Sequence, residues 1–77
     1  MKDLLQYIAR SLVDAPDEVD VREIDEDDGS MLLELRVATP DLGKVIGKQG
    51  RTARSIRTLL AAVGVKQDKK IVFEIVE

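Results

Sequence analysis

The sequence contains no cysteine and no histidine among its 77 residues. It can therefore form no disulfide, thiol nucleophile, imidazole base or zinc site of the usual kind. Because most enzyme chemistry needs such groups, we expect a non-catalytic protein without a cofactor. The acids near the predicted turn, Glu26, Asp27 and Asp28, are better explained by a solvated turn than by a hydrolase or nuclease site.

Long apolar runs are also missing. No segment approaches the roughly 18 apolar residues of a membrane helix, and the polar-interrupted start lacks the apolar core of a signal peptide. We therefore expect a cytoplasmic protein with no membrane contact. The composition, 44% hydrophobic and 35% charged, is typical of a single globular domain, which we expect to span residues 1–77.

Charge is distributed unevenly along the chain. The net charge of -3 combines about -7 over residues 1–30 with about +4 over residues 31–77, and residues 42–70 alone carry about +7. Because a binding face is a local property, the acidic total does not exclude a polyanionic partner. Taken alone, the basic stretch is equally consistent with an ordinary solvated surface.

Hydrophobic periodicity in the first half predicts a helix followed by two antiparallel strands. Apolar residues recur at helical spacing over residues 2–13. Over residues 18–25 apolar and polar residues alternate, but the phase slips at Ile24, which predicts a bulge there. A turn over residues 27–30 then leads into a second alternating strand over residues 31–37.

The second half predicts two helices and a closing strand. The signature Thr39-Pro40-Asp41 combines a capping hydroxyl, a first-turn proline and an acid at the positive dipole end, and the short helix that it opens should end at Gly47. A longer helix should run over residues 51–63 and end at Gly64 as a left-handed cap. The remaining segments are a basic loop over residues 65–70 and a strand over residues 71–76.

The most informative segment is Gly47-Lys48-Gln49-Gly50, between the two helices. It is not a Walker phosphate loop, because only three residues separate Gly43 from Gly47 and no Ser or Thr follows the lysine. It is not a dinucleotide fingerprint either, because Val45 stands where a glycine is needed and a helix, not a strand, precedes it.

Two glycines around two polar residues allow another backbone to approach closely, because no Cβ stands in the way. The following helix directs its N-terminus at the same point, and Lys48 and Arg51 add full charges. The pattern alone is also typical of a tight turn between helices. Five bases and no acid over residues 42–57 favour a site for a sugar-phosphate backbone.

The run Val45-Ile46-Gly47-x-x-Gly50, placed between two helices, resembles the KH domain of nucleic-acid-binding proteins. The order helix, strand, strand, helix, helix, strand is similar to the bacterial type II arrangement, and over its whole length the chain resembles the small single-KH proteins of the KhpA family. The resemblance implies an α+β fold in which a three-stranded mixed sheet packs against three helices.

The resemblance further implies a cleft that holds about four nucleotides of single-stranded RNA, gripped at the backbone by the Gly-x-x-Gly loop. A solvated face would explain Arg54 and Arg57 equally well, and Lys66 would join the far wall of the cleft. Ile46 and Ile56 have core spacing, so we interpret them as structural. The candidate RNA-binding residues are Gly43, Lys44, Gly47, Lys48, Gln49, Gly50, Arg51, Arg54, Lys69 and Lys70.

The leading hypothesis is therefore an RNA chaperone or post-transcriptional regulator of low sequence specificity. Only Tyr7 and Phe73 are aromatic, so the stacking platforms of other single-strand binders are missing. A single clamp should bind weakly, and the resemblance implies a homodimer or a heterodimer with a larger KH protein, KhpB. The acidic N-terminal third leaves an alternative open, a protein–protein adaptor with secondary RNA contact. Apolar residues available for such an interface are Leu59, Val72 and Val76.

Overall fold

Three helices and three strands follow one another in the predicted order. A computed structural model describes all residues, 1–77. Single 3-10 turns at Pro16–Glu18, Thr39–Asp41 and Lys48–Gly50 connect some of these elements. The elements are α1 (Lys2–Leu12), β1 (Asp20–Asp25), β2 (Met31–Arg36), α2 (Leu42–Ile46), α3 (Arg51–Lys66) and β3 (Ile71–Val76).

The strands form one mixed sheet in the order β1-β2-β3. A tight turn joins β1 to β2, so these strands are antiparallel, and Val21 pairs with Leu35. β3 lies parallel to β2, with Leu33 opposite Phe73. Parallel neighbours need a long crossover, which α2 and α3 supply. The predicted α+β fold, with a three-stranded mixed sheet against three helices, is confirmed.

One face of the sheet and the inner faces of the helices form the hydrophobic core. Its sheet side is built around Leu33, Leu35 and Phe73, at most 3% exposed. The helices contribute Leu5, Ala9, Val45, Ala53, Ile56 and Leu60. None of the three helices is both long enough and apolar enough to cross a membrane. The core therefore fixes α2 and α3 on the sheet and leaves the junction between them at the surface.

The predicted bulge at Ile24 is wrong. The pairing of β1 with β2 is continuous, and Ile24 lies directly opposite Leu32. Alternation therefore continues through β1 and places Ile24 on the outer face of the sheet, where it is 39% exposed. An apolar residue at this exposed position, and not an extra residue in the strand, causes the change of phase in the sequence.

The predicted left-handed cap at Gly64 is also wrong, because α3 continues to Lys66. The left-handed residue is Asp68, with φ 57°. The Lys69 N–H donates to the Gly64 carbonyl at 2.8 Å, and the Asp68 N–H donates to the Val65 carbonyl at 3.1 Å. These two bonds are those of a Schellman motif. The basic connection is thus shorter than predicted, and Lys66 belongs to the helix.

The start of α2 differs from the prediction because neither Thr39 nor Asp41 makes a side-chain capping hydrogen bond. Asp41 is instead 2% exposed. Its carboxylate accepts hydrogen bonds from the backbone N–H groups of Asp14, at 3.3 Å, and Ala15, at 3.0 Å. A buried carboxylate is retained where such donors satisfy it. Asp41 therefore fastens the segment between α1 and β1 to the start of α2.

The position of Gly64 generates a stability prediction. A Cβ there would lie 2.6 Å from both Ile71 Cγ1 and the Lys69 carbonyl oxygen. We expect Gly64→Ala to lower the free energy of unfolding by about 1–3 kcal/mol, measured by urea denaturation, because the backbone carbonyl cannot move away freely.

Gly43→Ala is the matched control for this substitution. Gly43 lies in α2, and its Cβ would meet nothing within 4 Å. Alanine in a helix is favoured over glycine, so we expect Gly43→Ala to leave stability unchanged or raise it by about 0.5–1 kcal/mol. Equal stabilities of the two variants would contradict the close packing of α3 on β3.

Candidate nucleic-acid interface

The Gly-x-x-Gly loop has a backbone conformation that few sequences could adopt. Three of its four residues have positive φ: Gly47 at 76°, Gln49 at 57° and Gly50 at 73°. The Gly47 N–H donates to the Gly43 carbonyl at 2.8 Å and so ends α2. The Gly50 N–H donates to the Gly47 carbonyl at 3.1 Å and closes the turn. Left-handed φ favours glycine, which explains two of these positions.

The two glycines are required for different reasons. A Cβ on Gly47 would overlap Oγ1 of Thr52 and lie 2.7 Å from the Cβ of that residue. A Cβ on Gly50 would meet nothing within 4 Å. Gly47 is therefore needed because the loop packs against the first turn of α3. Gly50 is favoured by its backbone angle alone, and the space beside it is open.

Three basic side chains lie at or just after the loop and have no acidic partner. Lys48, Arg51 and Arg54 are exposed, and none of them forms an ion pair. One Nη atom of Arg51 donates to Gln49 Oε1 at 3.1 Å, which links the loop to α3. No side chain caps the N-terminus of α3. Its positive dipole end therefore adds to the charge of these three residues.

Lys44 is placed differently from the other predicted site residues. It lies on α2, one helical turn before Gly47, but its Nζ atom is 3.2 Å from Asp14 Oδ2 and 3.9 Å from Asp41 Oδ1. The side chain is thus paired with acids of the segment after α1 and of the turn before α2. The neighbouring residue, Gly43, has no side chain, and the space where a Cβ would lie is open.

Lys69 and Lys70 lie at the other end of α3. This helix has 16 residues and is therefore about 24 Å long. Lys69 Nζ is 3.9 Å from Asp25 Oδ1, and the Lys70 carbonyl accepts a hydrogen bond from the Met31 N–H at 2.8 Å. The structure therefore gathers Gly43, Lys44, the loop, Arg51 and Arg54 at one end, and places Lys69 and Lys70 beside the acidic β1–β2 turn.

The β1–β2 turn has its own internal order. Asp28 Oδ1 accepts hydrogen bonds from the Ser30 hydroxyl at 2.6 Å and from the Ser30 N–H at 2.9 Å. These bonds, with a smaller contribution from the charge of Lys70, hold the pKa of Asp28 below its usual value. The Asp28 carboxylate therefore stays ionised to a lower pH than an isolated aspartate does.

Two isoleucines and one arginine refine the sequence interpretation. Ile56 is 5% exposed and lies in the core, as expected, but Ile46 is 39% exposed. Val45 is the one buried residue of the five-residue helix α2, and Ile46 lies beside it at the surface. The guanidinium carbon of Arg57 lies 5.7 Å from the ring centroid of Phe73, a cation–π arrangement that fixes Arg57 on β3.

Sequence reasoning missed three residues that shape this region: Asp14, Asp41 and Thr52. The signature Thr39-Pro40-Asp41 drew attention to Asp41, but as a helix-dipole acid. Thr52 carries no sequence signal, because its importance depends on the approach of Gly47. Asp14 lies about 30 residues before Lys44, and only the folded chain brings the two charges together.

A Gly-x-x-Gly loop between two helices that pack on a mixed three-stranded sheet defines a KH domain. The family model described as the KH domain of KhpA/KhpB matches residues 2–75. The chain therefore belongs to the KhpA/KhpB KH family, as the sequence resemblance indicated. No solved structure matches the chain.

Several relatives named RNA-binding protein KhpA cover nearly all of the chain. The Clostridium acetobutylicum protein is 57% identical over 76 residues, which span 99% of this chain and 100% of the relative. The Aquifex aeolicus protein is 51% identical over 77 residues, spanning 100% of this chain and 96% of the relative. The Chlamydia caviae protein is 48% identical over 77 residues, with 100% and 97% coverage.

The loop geometry predicts unequal effects for alanine at its two glycines. Gly47→Ala should lower the free energy of unfolding by about 2 kcal/mol or more, because the methyl group collides with Thr52 and the residue has positive φ. Gly50→Ala should cost roughly 1 kcal/mol, from the left-handed backbone alone. Urea denaturation followed by circular dichroism measures both. Equal losses would mean that the contact with Thr52 does not constrain the loop.

Proposed function

We propose that this protein is a non-catalytic, cytoplasmic RNA-binding protein that holds single-stranded RNA at the loop from Gly47 to Gly50. One observation carries the proposal: the loop is held against α3 by Gly47 and displays exposed Lys48 and Gln49 at the uncapped start of that helix. Membership of a family whose relatives are named RNA-binding proteins supports the same function.

The chemistry of the loop suits an RNA backbone better than a base edge. Lys48 and Arg51 supply full positive charges for phosphates, and the N-terminus of α3 adds a partial one. The open space at Gly50 allows a sugar-phosphate chain to approach the protein backbone. Since such contacts do not read bases, we expect low sequence specificity.

The remaining candidate residues extend this site in two directions. Gly43 has no side chain, so RNA can approach the surface of α2. Arg54 extends the positively charged surface along α3. A strand laid along α3 from the loop would reach Lys69 and Lys70 at the far end of the helix. We therefore assign the backbone clamp to Gly47, Lys48, Gln49, Gly50 and Arg51, and secondary contacts to Gly43, Lys44, Arg54, Lys69 and Lys70.

A single clamp of about four nucleotides gives weak binding that falls with salt. Weak, non-specific contact suits an RNA chaperone or a post-transcriptional regulator, which must release its RNA. Avidity from a second KH domain would strengthen binding without new contacts. We propose that the second domain comes from another copy of this chain or from a larger KhpB partner.

Apolar side chains outside the core support such an interface. Leu59 on α3 is 45% exposed, and Val72 on β3 is 37% exposed. Val76, the third sequence candidate, is half-buried. An interface gains affinity by covering apolar surface of this kind, so Leu59 and Val72 are the positions to test.

The clamp assignment predicts the effect of reversing charge at the loop. Lys48→Asp/Gln49→Asp should bind a short labelled single-stranded RNA at least tenfold more weakly than the wild type at low salt, in a fluorescence anisotropy titration. The wild-type affinity should fall with salt by about 0.7 log units per phosphate contact per decade. Circular dichroism must show that both proteins are folded.

The chain contains a matched control, because the same dipeptide recurs at Lys66-Gln67. Lys66→Asp/Gln67→Asp makes the same change of charge at the opposite end of α3, beside the secondary contacts Lys69 and Lys70, and we expect it to weaken binding less than the loop variant does, by under about threefold. Equal losses in the two variants would indicate a general charge effect. If the loop variant still binds RNA as the wild type does, and its binding to a protein partner is also unchanged, the adaptor hypothesis is favoured.

The proposed homodimer predicts that substitutions in its interface halve the molecular mass measured by sedimentation. The wild type should sediment as a dimer at micromolar concentration, and Leu59→Asp or Val72→Asp should convert it to a monomer by burying an unpaired charge in the interface. Ala61→Asp, which is exposed and lies about 160° around α3 from Leu59, is a control that should leave the dimer intact. A wild-type protein that sediments as a monomer at every concentration would contradict the homodimer.

A further inference from the structure

We propose that Asp14 competes with RNA phosphates for Lys44 and thereby limits the affinity of this protein for RNA. The proposal rests on the function proposed above. It assigns a role to an acidic residue that lies outside the Gly-x-x-Gly loop and whose charge has the same sign as that of RNA. Asp14 thus acts on RNA affinity through another side chain, that of Lys44.

The ion pair is the closest one in the protein. Lys44 Nζ lies 3.2 Å from Asp14 Oδ2, whereas the other lysine–acid pairs, Lys44 with Asp41 and Lys69 with Asp25, are both at 3.9 Å. The Asp14 side chain is 81% exposed and that of Lys44 is 43% exposed. Both groups are therefore accessible to a ligand. A phosphate can replace the carboxylate on Lys44 without any movement of the backbone.

Asp14 is held in this position by the buried Asp41. The Asp41 carboxylate accepts hydrogen bonds from the backbone N–H groups of Asp14 and Ala15. These bonds fix the main chain of the segment that carries the Asp14 side chain. Asp41 is 3% exposed at its side chain and is not accessible to RNA. The structure therefore places one fixed, buried acid and one exposed, displaceable acid around the same lysine.

Lys44 differs from the other cations near the loop in this respect. Lys48, Arg51 and Arg54 have no acidic partner. They can contact a phosphate without breaking an ion pair, whereas Lys44 must first lose its contact with Asp14. Exposed ion pairs are weak, so this cost is small enough for RNA to overcome and large enough to measure.

Replacing the Asp14 carboxylate by an amide tests the proposal. Asp14→Asn keeps the backbone N–H that Asp41 accepts, so the fold should be preserved. We expect it to tighten binding of a short single-stranded RNA by about two- to fivefold at low salt, the range set by a weak surface ion pair. The slope of log K against log salt should change by less than about 0.7, because Lys44 contacts a phosphate in both proteins.

Asp17→Asn is the matched control, because Asp17 is exposed in the same segment and has no ion pair. It makes the same change of charge, and we expect it to alter affinity less than about 1.5-fold. Lys44→Met, alone and combined with Asp14→Asn, completes a double-mutant cycle. With Lys44 absent, Asp14→Asn should no longer tighten binding.

The possible results separate this proposal from the one on which it rests. If Asp14→Asn and Asp17→Asn behave alike, or if the gain persists without Lys44, the competition is overturned while the loop remains the RNA site. If the wild type binds no RNA, or Lys48→Asp/Gln49→Asp binds normally, the proposed function fails and the competition fails with it. A gain that is specific to Asp14 and dependent on Lys44 supports the proposal.

Discussion

The close approach of Gly47 to Thr52 is the constraint on which the candidate site depends. The absence of a side chain at Gly47 lets α2 end directly against the first turn of α3. This contact fixes the turn between the helices, so that Lys48 and Gln49 are exposed at an uncapped helix start. The charge of Lys48, the positive dipole end of α3 and the open backbone of the loop lie at the same place because Gly47 has no Cβ to separate the two helices.

Much of the fold could be predicted because its signals are local. Alternation along β2 and β3, helical spacing along α3 and the glycine at the end of α2 each depend on residues close in sequence. The errors occurred where a distant contact decided the outcome. Gly64 resembles a cap in the sequence, but it is helical because β3 packs closely against it. Ile24 resembles a bulged residue, but it faces outward opposite Leu32.

The candidate site was predictable in composition but not in arrangement. The Gly-x-x-Gly loop and the basic stretch are visible in the sequence, because both are continuous. The distribution of the acids around that stretch is not, since Asp14 meets Lys44 and Asp25 meets Lys69 only in the folded chain. The acidic N-terminal third is therefore not a separate feature of the protein. It pairs with Lys44 and Lys69, whereas the three bases at the loop, Lys48, Arg51 and Arg54, have no acidic partner.

The parallel pairing of β2 with β3 has a consequence for folding kinetics. Each residue of β2 pairs with one about 40 positions later, from Met31 with Ile71 to Arg36 with Val76. The β1–β2 hairpin can form early, since its closure entropy is small, but the other edge of β2 stays unpaired until α2 and α3 have formed the crossover. During synthesis, β2 therefore leaves the ribosome well before its parallel partner. The sheet is therefore completed by its last strand, after the helices that carry that strand to β2.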